Sequence, residues 1–284
     1  MTAAVDVREL DGPPSLSGLY AKAVLAGVLP GGDELPEQVL VLPEVEVDRE
    51  HLLEYDRVCG MRLCDGLPPT YLHVFSFPLA MSLMTERSFP FSVIGMVHIE
   101  NRIEQRRPLE VTDRPRLRVW AEDLRPHPRG RQFDVVSEAE LDGETVWTER
   151  TTYLRRGKGG GGEKARREEP PREVFSTFEV PGDTGRRYAA VSGDRNPIHM
   201  AGPAAKLFGM PGLVAHGMWM KARCLAAFEG RLPPRLAAEA RFTAPLRLPA
   251  RARLAAEAAG EGWRFALWSE ASEKPHVVGK VEPL

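Results

Sequence analysis

Apolar residues alternate with polar residues over many short segments of the chain, a period that predicts half-buried strands. In the second half the pattern predicts strands at residues 173–180, 236–243, 250–258, 263–269 and 276–282. In the first half it predicts strands at residues 37–47, 96–105, 116–123, 131–141 and 145–153. Helical stretches are predicted near residues 77–85, 184–192 and 215–228, with a short segment at 202–208. Runs of antiparallel strands combined with single helices predict an α+β fold, with a curved sheet wrapped around a helix in each half.

The two halves also resemble each other in sequence. Residues 55–63 align with residues 188–196, and four of the nine positions are identical. Further on, a Pro-Leu pair followed by arginines at the same spacing occurs at residues 108–117 and again at residues 245–254. Two short matches in the same order indicate a duplicated unit. The second copy is four residues longer between the matches, and we expect this extra length to lie in the interval 196–214.

The segment between the copies, residues 155–172, contains almost no apolar side chain. Glycine-rich and charged segments of this kind form solvated tethers, so the sequence predicts a flexible linker. The glycines do not form a phosphate-binding loop, because Glu163 stands where such a loop needs a lysine and no apolar strand precedes it. We therefore predict a first domain at residues 1–154 and a second domain at residues 173–284.

Composition restricts the classes of function. The chain has 284 residues, of which 43% are hydrophobic and 27% are charged, and its formal net charge is −2. This charge argues against the basic surface that nucleic-acid binding requires. The three cysteines form no CxxC pair, so neither a zinc site nor a disulfide framework is indicated. No secretory signal pattern and no run of about 18–20 apolar residues is present. We expect a soluble cytoplasmic protein with no nucleic-acid or membrane partner.

One segment carries a candidate acid/base pair, Asp194 and His199. Inside a continuous helix this spacing would send the two side chains in different directions. Gly193 and Pro197 interrupt the segment, and a proline disfavours helical geometry at the preceding residue while suiting the first turn of a new helix. The chain can then fold back so that a carboxylate and an imidazole converge on one water or substrate hydroxyl. The alternative interpretation is a turn aspartate followed by a histidine at a helix start.

A glycine at the start of the next apolar helix adds a second chemical element. Backbone amides in the first turn of a helix lack intrahelical partners and lie at the positive end of the helix dipole. Because it has no Cβ, Gly217 lets a carbonyl oxygen approach its N–H, as an oxyanion hole for a thioester enolate requires. The alternative for Gly217 is close helix–sheet packing. Its neighbour His216 is expected to orient or pack rather than to bind an ion.

Two other chemistries compete for the same residues. Asp194, His199 and His216 could bind a metal ion, but no H-E-x-x-H or comparable grouping of ligands accompanies them. Ser192 with His199 and Asp194 could form a hydrolase triad, but the G-x-S-x-G elbow is missing. We therefore expect no metal site and no hydrolase triad.

These residues form a recognisable motif. Residues 188–199 read Y-A-A-V-S-G-D-R-N-P-I-H, and they are followed by A-K-L-F-G at 205–209 and A-H-G-M at 215–218. The sequence resembles the MaoC-like hydratase-2 family, whose pattern is Y-x-x-x-S-G-D-x-N-P-(I/L)-H, then a-x-x-x-G and (I/V/L)-x-H-G. Residues 69–101 are similar, more loosely, to the first half of the two-hot-dog actinobacterial 3-hydroxyacyl-thioester dehydratases.

The resemblance implies a double hot-dog fold, in which antiparallel strands twice wrap around a central helix. It also implies reversible syn hydration of a trans-2-enoyl thioester to the (3R)-3-hydroxyacyl thioester, carried by coenzyme A or an acyl carrier protein, in fatty-acid metabolism. On this chain Asp194 and His199 would hold and activate the water, and the Gly217 N–H would polarise the thioester carbonyl. No metal and no organic cofactor is implied. The remaining motif residues, with an expected role in substrate binding, are Ser192, Asn196 and His216.

The first copy lacks this pair, because Met61 aligns with Asp194 and Gly66 aligns with His199. We expect it to be a degenerate, non-catalytic hot-dog domain that houses part of the acyl chain. It would pair with the second half as a pseudo-dimer, and a homodimer of the whole chain is a further option. Two alternatives stay open, a hot-dog acyl thioesterase and a non-catalytic acyl-thioester-binding subunit. The complete Asp-x-Asn-Pro-x-His segment disfavours both.

Overall fold

The computed structural model describes residues 6–26, 34–157, 161, 169–207, 209–210 and 212–284. Most of the predicted linker at residues 155–172 lies outside these residues. In chain order the elements are β1 (Asp6–Glu9), α1 (Leu16–Ala26), β2 (Gln38–Leu42), α2 (Arg49–Cys59), α3 (His73–Met84), β3 (Met96–Gln105), β4 (Arg116–His127), β5 (Gly130–Leu141), β6 (Glu144–Arg156), β7 (Val174–Val180), α4 (Thr184–Ser192), α5 (Pro197–Met200), α6 (Gly202–Leu207), α7 (Gly217–Ala226), β8 (Leu236–Phe242), β9 (Ala250–Ala259), β10 (Gly262–Ser269) and β11 (Val277–Pro283).

The chain divides into two compact units, each built from three segments. The first unit consists of Met1–Glu46, Leu72–Asn101 and Thr112–Arg166. The second unit consists of Val47–Tyr71, Arg102–Val111 and Arg167–Leu284. Helix α2 and the loop after it therefore belong to the same unit as the acid/base segment, although they lie in the first half of the sequence.

The first unit is built on strands in the order β1-β2-β4-β5-β6-β3, of which β3 contributes residues 96–101. β1 and β2 are parallel, whereas β2, β4, β5 and β6 pair antiparallel in turn. Helix α3 packs against β2 and β4 and is buried on nearly every side, as its apolar residues all around the helix require. The helix begins at His73 rather than near residue 77. His73 and Ser76 join a buried polar network, which an apolar pattern cannot reveal.

The second unit contains five strands in the order β8-β11-β10-β9-β7, and every neighbouring pair is antiparallel. Helix α7 packs against β10 and β11. It begins at Gly217 rather than at residue 215, because His216 has an extended backbone with φ −68° and ψ 143° and occupies the N-cap. The α+β class predicted from the hydrophobic pattern is confirmed, with one largely buried helix against each set of strands.

Helix α2 is not among the elements that the pattern predicted, although its signals are clear. The side chain of Asp48 accepts a hydrogen bond from the N–H of His51 at 2.8 Å and caps the first turn. The helix ends at Gly60, which has φ 70° and therefore the left-handed conformation that glycine adopts easily. Its buried residues follow helical spacing, and the helix packs against α4 within the second unit. Most of its residues are charged or polar, so the few apolar positions were not recognised as a helix in the hydrophobic pattern.

Membrane spans need helices of about 20 apolar residues. Within the described ranges given above, the helices are all too short or too polar to serve as one.

Candidate active site

The end of helix α4 forms a tight turn that presents Asp194. Gly193 ends the helix with φ 72°, and its N–H donates to the carbonyl oxygen of Ala189 at 3.0 Å. The N–H of Asp194 then donates to Oγ of Ser192 at 3.2 Å, and Oδ1 of Asp194 accepts from the N–H of Asn196 at 3.1 Å. Ser192 and Asn196 therefore hold the backbone around the carboxylate.

His199 lies on the short helix α5, which the sequence starts in the expected way. Asn196 occupies the N-cap and accepts from the N–H of Ile198, and Pro197 occupies the first turn. Nδ1 of His199 is 2.7 Å from the carbonyl oxygen of Val214. Because a carbonyl only accepts, Nδ1 carries the proton, and Nε2 is the basic nitrogen of the neutral ring.

Burial keeps this imidazole neutral. His199 is 8% exposed, and burial lowers the pKa of its ring below the usual histidine value. The negative charge of Asp194 and the hydrogen bond to Val214 act in the opposite direction but are smaller effects. A neutral histidine beside a carboxylate can accept a proton at neutral pH.

His216 completes the group. Its ring stacks on the ring of His199, with centroids 3.6 Å apart and an interplanar angle of 26°. Nε2 of His216 donates to the carbonyl oxygen of Asp194 at 2.9 Å and is 3.8 Å from Oδ2 of the same residue. His216 therefore fixes both the backbone of Asp194 and the plane of His199, which supports an orienting role.

The structure also brings together the three residues considered as metal ligands. One potential ligand atom from each of Asp194, His199 and His216 lies within 4.8 Å of the other two. Each imidazole, however, has one nitrogen hydrogen-bonded to a backbone carbonyl, so that nitrogen carries a proton and cannot bind a metal ion. The same geometry suits proton transfer, and the prediction that the protein uses no metal remains to be tested.

Gly217 occupies the first position of α7, where helix geometry supplies no carbonyl partner for its N–H. A Cβ at this position would lie 3.2 Å from three ring carbons of Phe242, tighter than ordinary packing allows. Both interpretations of this glycine remain open, because the position combines close packing against Phe242 with a backbone N–H in the first turn of a helix.

Sequence reasoning missed Gly185, in the first turn of α4. A Cβ at this position would overlap the carbonyl oxygen of His199, so only glycine allows α5 to approach α4 this closely. The residue thereby sets the position of the candidate base. The one signal in the sequence was a glycine inside a predicted helix, where it is unfavourable unless packing requires it.

The repeat is visible in the backbone of the second unit. Gly60 and Gly193, which align in sequence, both end their helices in the left-handed conformation. Gly66 forms an isolated β-bridge with Glu110, and Val214 forms the matching bridge with Arg247. The structural counterpart of Gly66 is therefore Val214, and the gap-free alignment of Gly66 with His199 is wrong.

The extra length of the second copy lies where we expected it, but it is longer than four residues. The short stretch 60–66 corresponds to the whole stretch 193–214, which contains α5 and α6. The second copy therefore has an insertion that carries His199, and the first copy lacks the segment rather than a single side chain.

The chain is similar to known proteins over most of its length. The profile of the MaoC like domain matches residues 163–278. Over 270 residues the chain is 37% identical to 3-hydroxyacyl-thioester dehydratase X of Mycobacterium tuberculosis, covering 94% of this chain and 96% of that protein. The chain belongs to the MaoC-like dehydratase family. The resemblance noted from the motif residues is thereby confirmed.

Solved structures confirm the hot-dog class of the fold. The crystal structure of HtdX from Mycobacterium tuberculosis matches with a TM-score of 0.77 at 37% identity, covering 87% of this chain and 100% of that chain. A MaoC-like dehydratase from Phytophthora capsici matches with a TM-score of 0.71, covering 87% of this chain and 95% of that chain. At 17% identity, the second match concerns the fold alone.

Proposed function

We propose that this MaoC-like protein catalyses the reversible syn hydration of trans-2-enoyl thioesters to (3R)-3-hydroxyacyl thioesters in fatty-acid metabolism. The relative from Mycobacterium tuberculosis is named a 3-hydroxyacyl-thioester dehydratase, which supports the substrate class. The observation that carries the proposal is the hydrogen bond from Nδ1 of His199 to Val214. It leaves Nε2 as a basic nitrogen in a neutral ring next to the carboxylate of Asp194.

In the hydration direction, Asp194 and His199 hold one water molecule. The water oxygen forms a bond to C3 of the enoyl group, one proton of the water passes to the pair, and a proton returns to C2 on the same face. Dehydration reverses these steps, so the pair removes the C2 proton and protonates the leaving hydroxyl. The N–H of Gly217 donates to the thioester oxygen, on which negative charge develops. The chemistry requires no cofactor, because the thioester itself acidifies C2.

The other motif residues shape the site around this pair. Ser192, Asn196 and His216 are proposed to contribute to substrate binding, and their hydrogen bonds to Asp194 support a role in orienting it. The proposal is compatible with either coenzyme A or an acyl carrier protein as the carrier of the acyl group.

The assignment of the two domains is also a prediction. We propose residues 1–154 as a non-catalytic, acyl-binding hot-dog domain and residues 173–284 as the catalytic domain. The pseudo-dimer, a homodimer of the whole chain and a cytoplasmic location are further predictions. Light scattering of the purified protein would test the homodimer.

Hydration of crotonyl-CoA tests the function. Loss of the enoyl absorbance with formation of the (3R) product is expected for the wild-type protein. Substitution Asp194→Asn or His199→Ala should reduce kcat/KM by about 10²–10⁴-fold, the usual contribution of a general acid/base group. Asp183→Asn is the matched control, because Asp183 lies in the same unit and its side chain makes no capping bond to α4.

The alternatives give different results in the same assay. Release of a free thiol without consumption of the double bond would identify a thioesterase. Binding of the thioester without turnover would identify a non-catalytic subunit. Wild-type rates in both Asp194→Asn and His199→Ala would refute the site assignment.

A further inference from the structure

Helix α2 contacts the catalytic helix α4 through a histidine that the proposed chemistry does not use. Nε2 of His51 is 2.8 Å from the carbonyl oxygen of Val191, and Nδ1 is 2.8 Å from the hydroxyl of Tyr71. A carbonyl only accepts, so Nε2 carries the proton and donates it to the hydrogen bond with Val191. In the neutral ring Nδ1 then accepts from the Tyr71 hydroxyl, which fixes the tautomer that the bond to Val191 needs.

The acceptor lies at a sensitive position. Val191 is in the last turn of α4, where carbonyls have no partner within the helix. The turn that follows is held by the hydrogen bonds from the N–H of Gly193 to Ala189 and from the N–H of Asp194 to Ser192. Because these bonds make the turn rigid, the position of the end of α4 sets the position of the Asp194 carboxylate.

Aromatic contacts connect the same segment to the other side of the acid/base pair. The rings of Tyr71 and Tyr55 are 5.1 Å apart at 82°, and the ring of Tyr55 is 6.2 Å from that of Tyr188. The ring of Tyr188 is 5.0 Å from His216, which stacks on His199. Edge-to-face and tilted contacts in this distance range are favourable and directional. The segment around α2 thus contacts the supports of both Asp194 and His199.

We propose that His51 is a positioning residue for this active site. By donating to Val191 in the tautomer that Tyr71 imposes, it fixes the end of α4 and through it the carboxylate of Asp194. The inference rests on the proposed function for its effect on catalysis, but not for its effect on the geometry of the turn. The first copy, which lacks an acid/base segment, would thereby supply part of the rigidity that the second copy needs.

Two substitutions at one position separate positioning from general stability. In His51→Gln the side-chain amide can place an N–H close to the former Nε2 and still reach Val191. In His51→Asn the amide can reach the Tyr71 hydroxyl but stops short of Val191. With crotonyl-CoA we expect His51→Asn to lower kcat by about tenfold with KM nearly unchanged, because small misplacements of a reacting group are costly. His51→Gln should recover most of that loss.

Thr70→Val provides the matched control. It removes the buried 2.8 Å hydrogen bond from the Tyr55 hydroxyl to Oγ1 of Thr70, next to Tyr71 in the chain. This bond does not involve α4, and because valine has nearly the same shape as threonine, the Tyr55 ring keeps its contacts with Tyr71 and Tyr188. Thermal unfolding should therefore shift to lower temperature while kcat stays at the wild-type value. If His51 has only a structural role, His51→Asn should lower the unfolding temperature and leave kcat at the wild-type value, as Thr70→Val does.

A spectroscopic measurement keeps the test independent of turnover. Nitrogen-15 NMR should show His51 with its proton on Nε2, and the amide signals of Gly193 and Asp194 should shift in His51→Asn but not in Thr70→Val. Equal kcat values for His51→Asn and the wild type, equal losses in His51→Asn and His51→Gln, or unshifted amides would overturn the inference. Absence of hydration by the wild type, together with the expected amide shifts, would instead refute the proposed function alone.

Discussion

Each of the two units contains a histidine near a carboxylate, and the two arrangements differ in what the carboxylate does. In the first unit, Nδ1 of His73 lies 2.9 and 3.0 Å from the two oxygens of Glu149. The Ser76 hydroxyl donates to one of these oxygens at 3.0 Å, and the Asn101 amide donates to the other at 2.8 Å. Glu149 is 2% exposed, so its charge is enclosed by donors from the protein itself.

In the second unit the histidine proton points away from the carboxylate. Nδ1 of His199 donates to the backbone carbonyl of Val214, and Oδ1 of Asp194 accepts a backbone N–H. The side chain of Asp194 is 26% exposed. The first arrangement directs the donors onto the acid and stabilises the fold. In the second, the histidine proton is directed to the backbone and the carboxylate is partly exposed. The direction of the histidine proton, rather than the residue types, therefore distinguishes the buried pair of the first unit from the candidate acid/base pair of the second.

Removal of each carboxylate should give the largest contrast. Glu149→Ala leaves His73 and its other donors buried without their acceptor, and we expect it to lower the free energy of unfolding by about 3–5 kcal/mol. Asp194→Ala should change it by at most about 1 kcal/mol, the usual net contribution of one hydrogen bond. Urea unfolding of both variants measures the difference. Similar losses in the two proteins would contradict the distinction between the sites.

A methyl group at position 185 should disturb His199, the proposed base, through the backbone. Because a Cβ there overlaps the His199 carbonyl, Gly185→Ala must displace α5, and we expect kcat to fall by about 10–100-fold. Gly182→Ala is the control, since a Cβ at that position meets nothing closer than 3.9 Å. Equal kcat values in the two variants would show that the approach of α5 to α4 does not position the base.

The pH profile of kcat/KM should report the neutral state of His199. Burial lowers the pKa of this ring, so the basic form persists at pH values where an ordinary histidine, with a pKa of about 6.5, is already half protonated. Activity should therefore stay constant as pH falls to about 6.5 and decline only below it. A decline that begins above pH 6.5 would indicate a base with a raised pKa, and thus a different assignment.

The smallest effect is expected from introducing an aspartate and a histidine into the first copy. Met61→Asp combined with Gly66→His, made in a His199→Ala background, should produce no measurable hydration. The stretch 60–66 lacks the segment that carries α5, and Gly66 corresponds to Val214, so the new histidine would occupy the position of the acceptor and could not donate to it as His199 does. Recovered activity in the combined variant would show that the missing side chains alone distinguish the copies.

The sequence predicted that Asp194 and His199 converge, because the determinants of this geometry are local. Gly193, Asn196 and Pro197 shape the turn and the start of α5 within a few residues of Asp194 and His199, and glycine and proline have strong intrinsic preferences. The fold class was predictable for a similar reason, since alternation along each strand reports the buried face of the sheet.

The remaining features depend on contacts between residues far apart in the chain. His73 and Glu149 are 76 positions apart, and His51 and Val191 are 140 positions apart. No local pattern connects such pairs, and a carbonyl acceptor such as that of Val214 can be supplied by any residue type. The apolar period likewise missed α2, because most of its residues are charged or polar and its buried side packs against the helices α4 and α7.

The stretch 193–214 differs greatly in length between the two copies, whereas its two ends have matching backbone features. The stretch begins at Gly193, which has the left-handed conformation, and ends at the β-bridge between Val214 and Arg247. In the first copy the equivalent points are Gly60 and Gly66, and far fewer residues connect them. The entropy of closing such a loop rises only slowly with its length. One copy can therefore be longer than the other without a change in the strands on either side. New reaction chemistry on this fold can thus arise by exchange of one loop between two fixed end points.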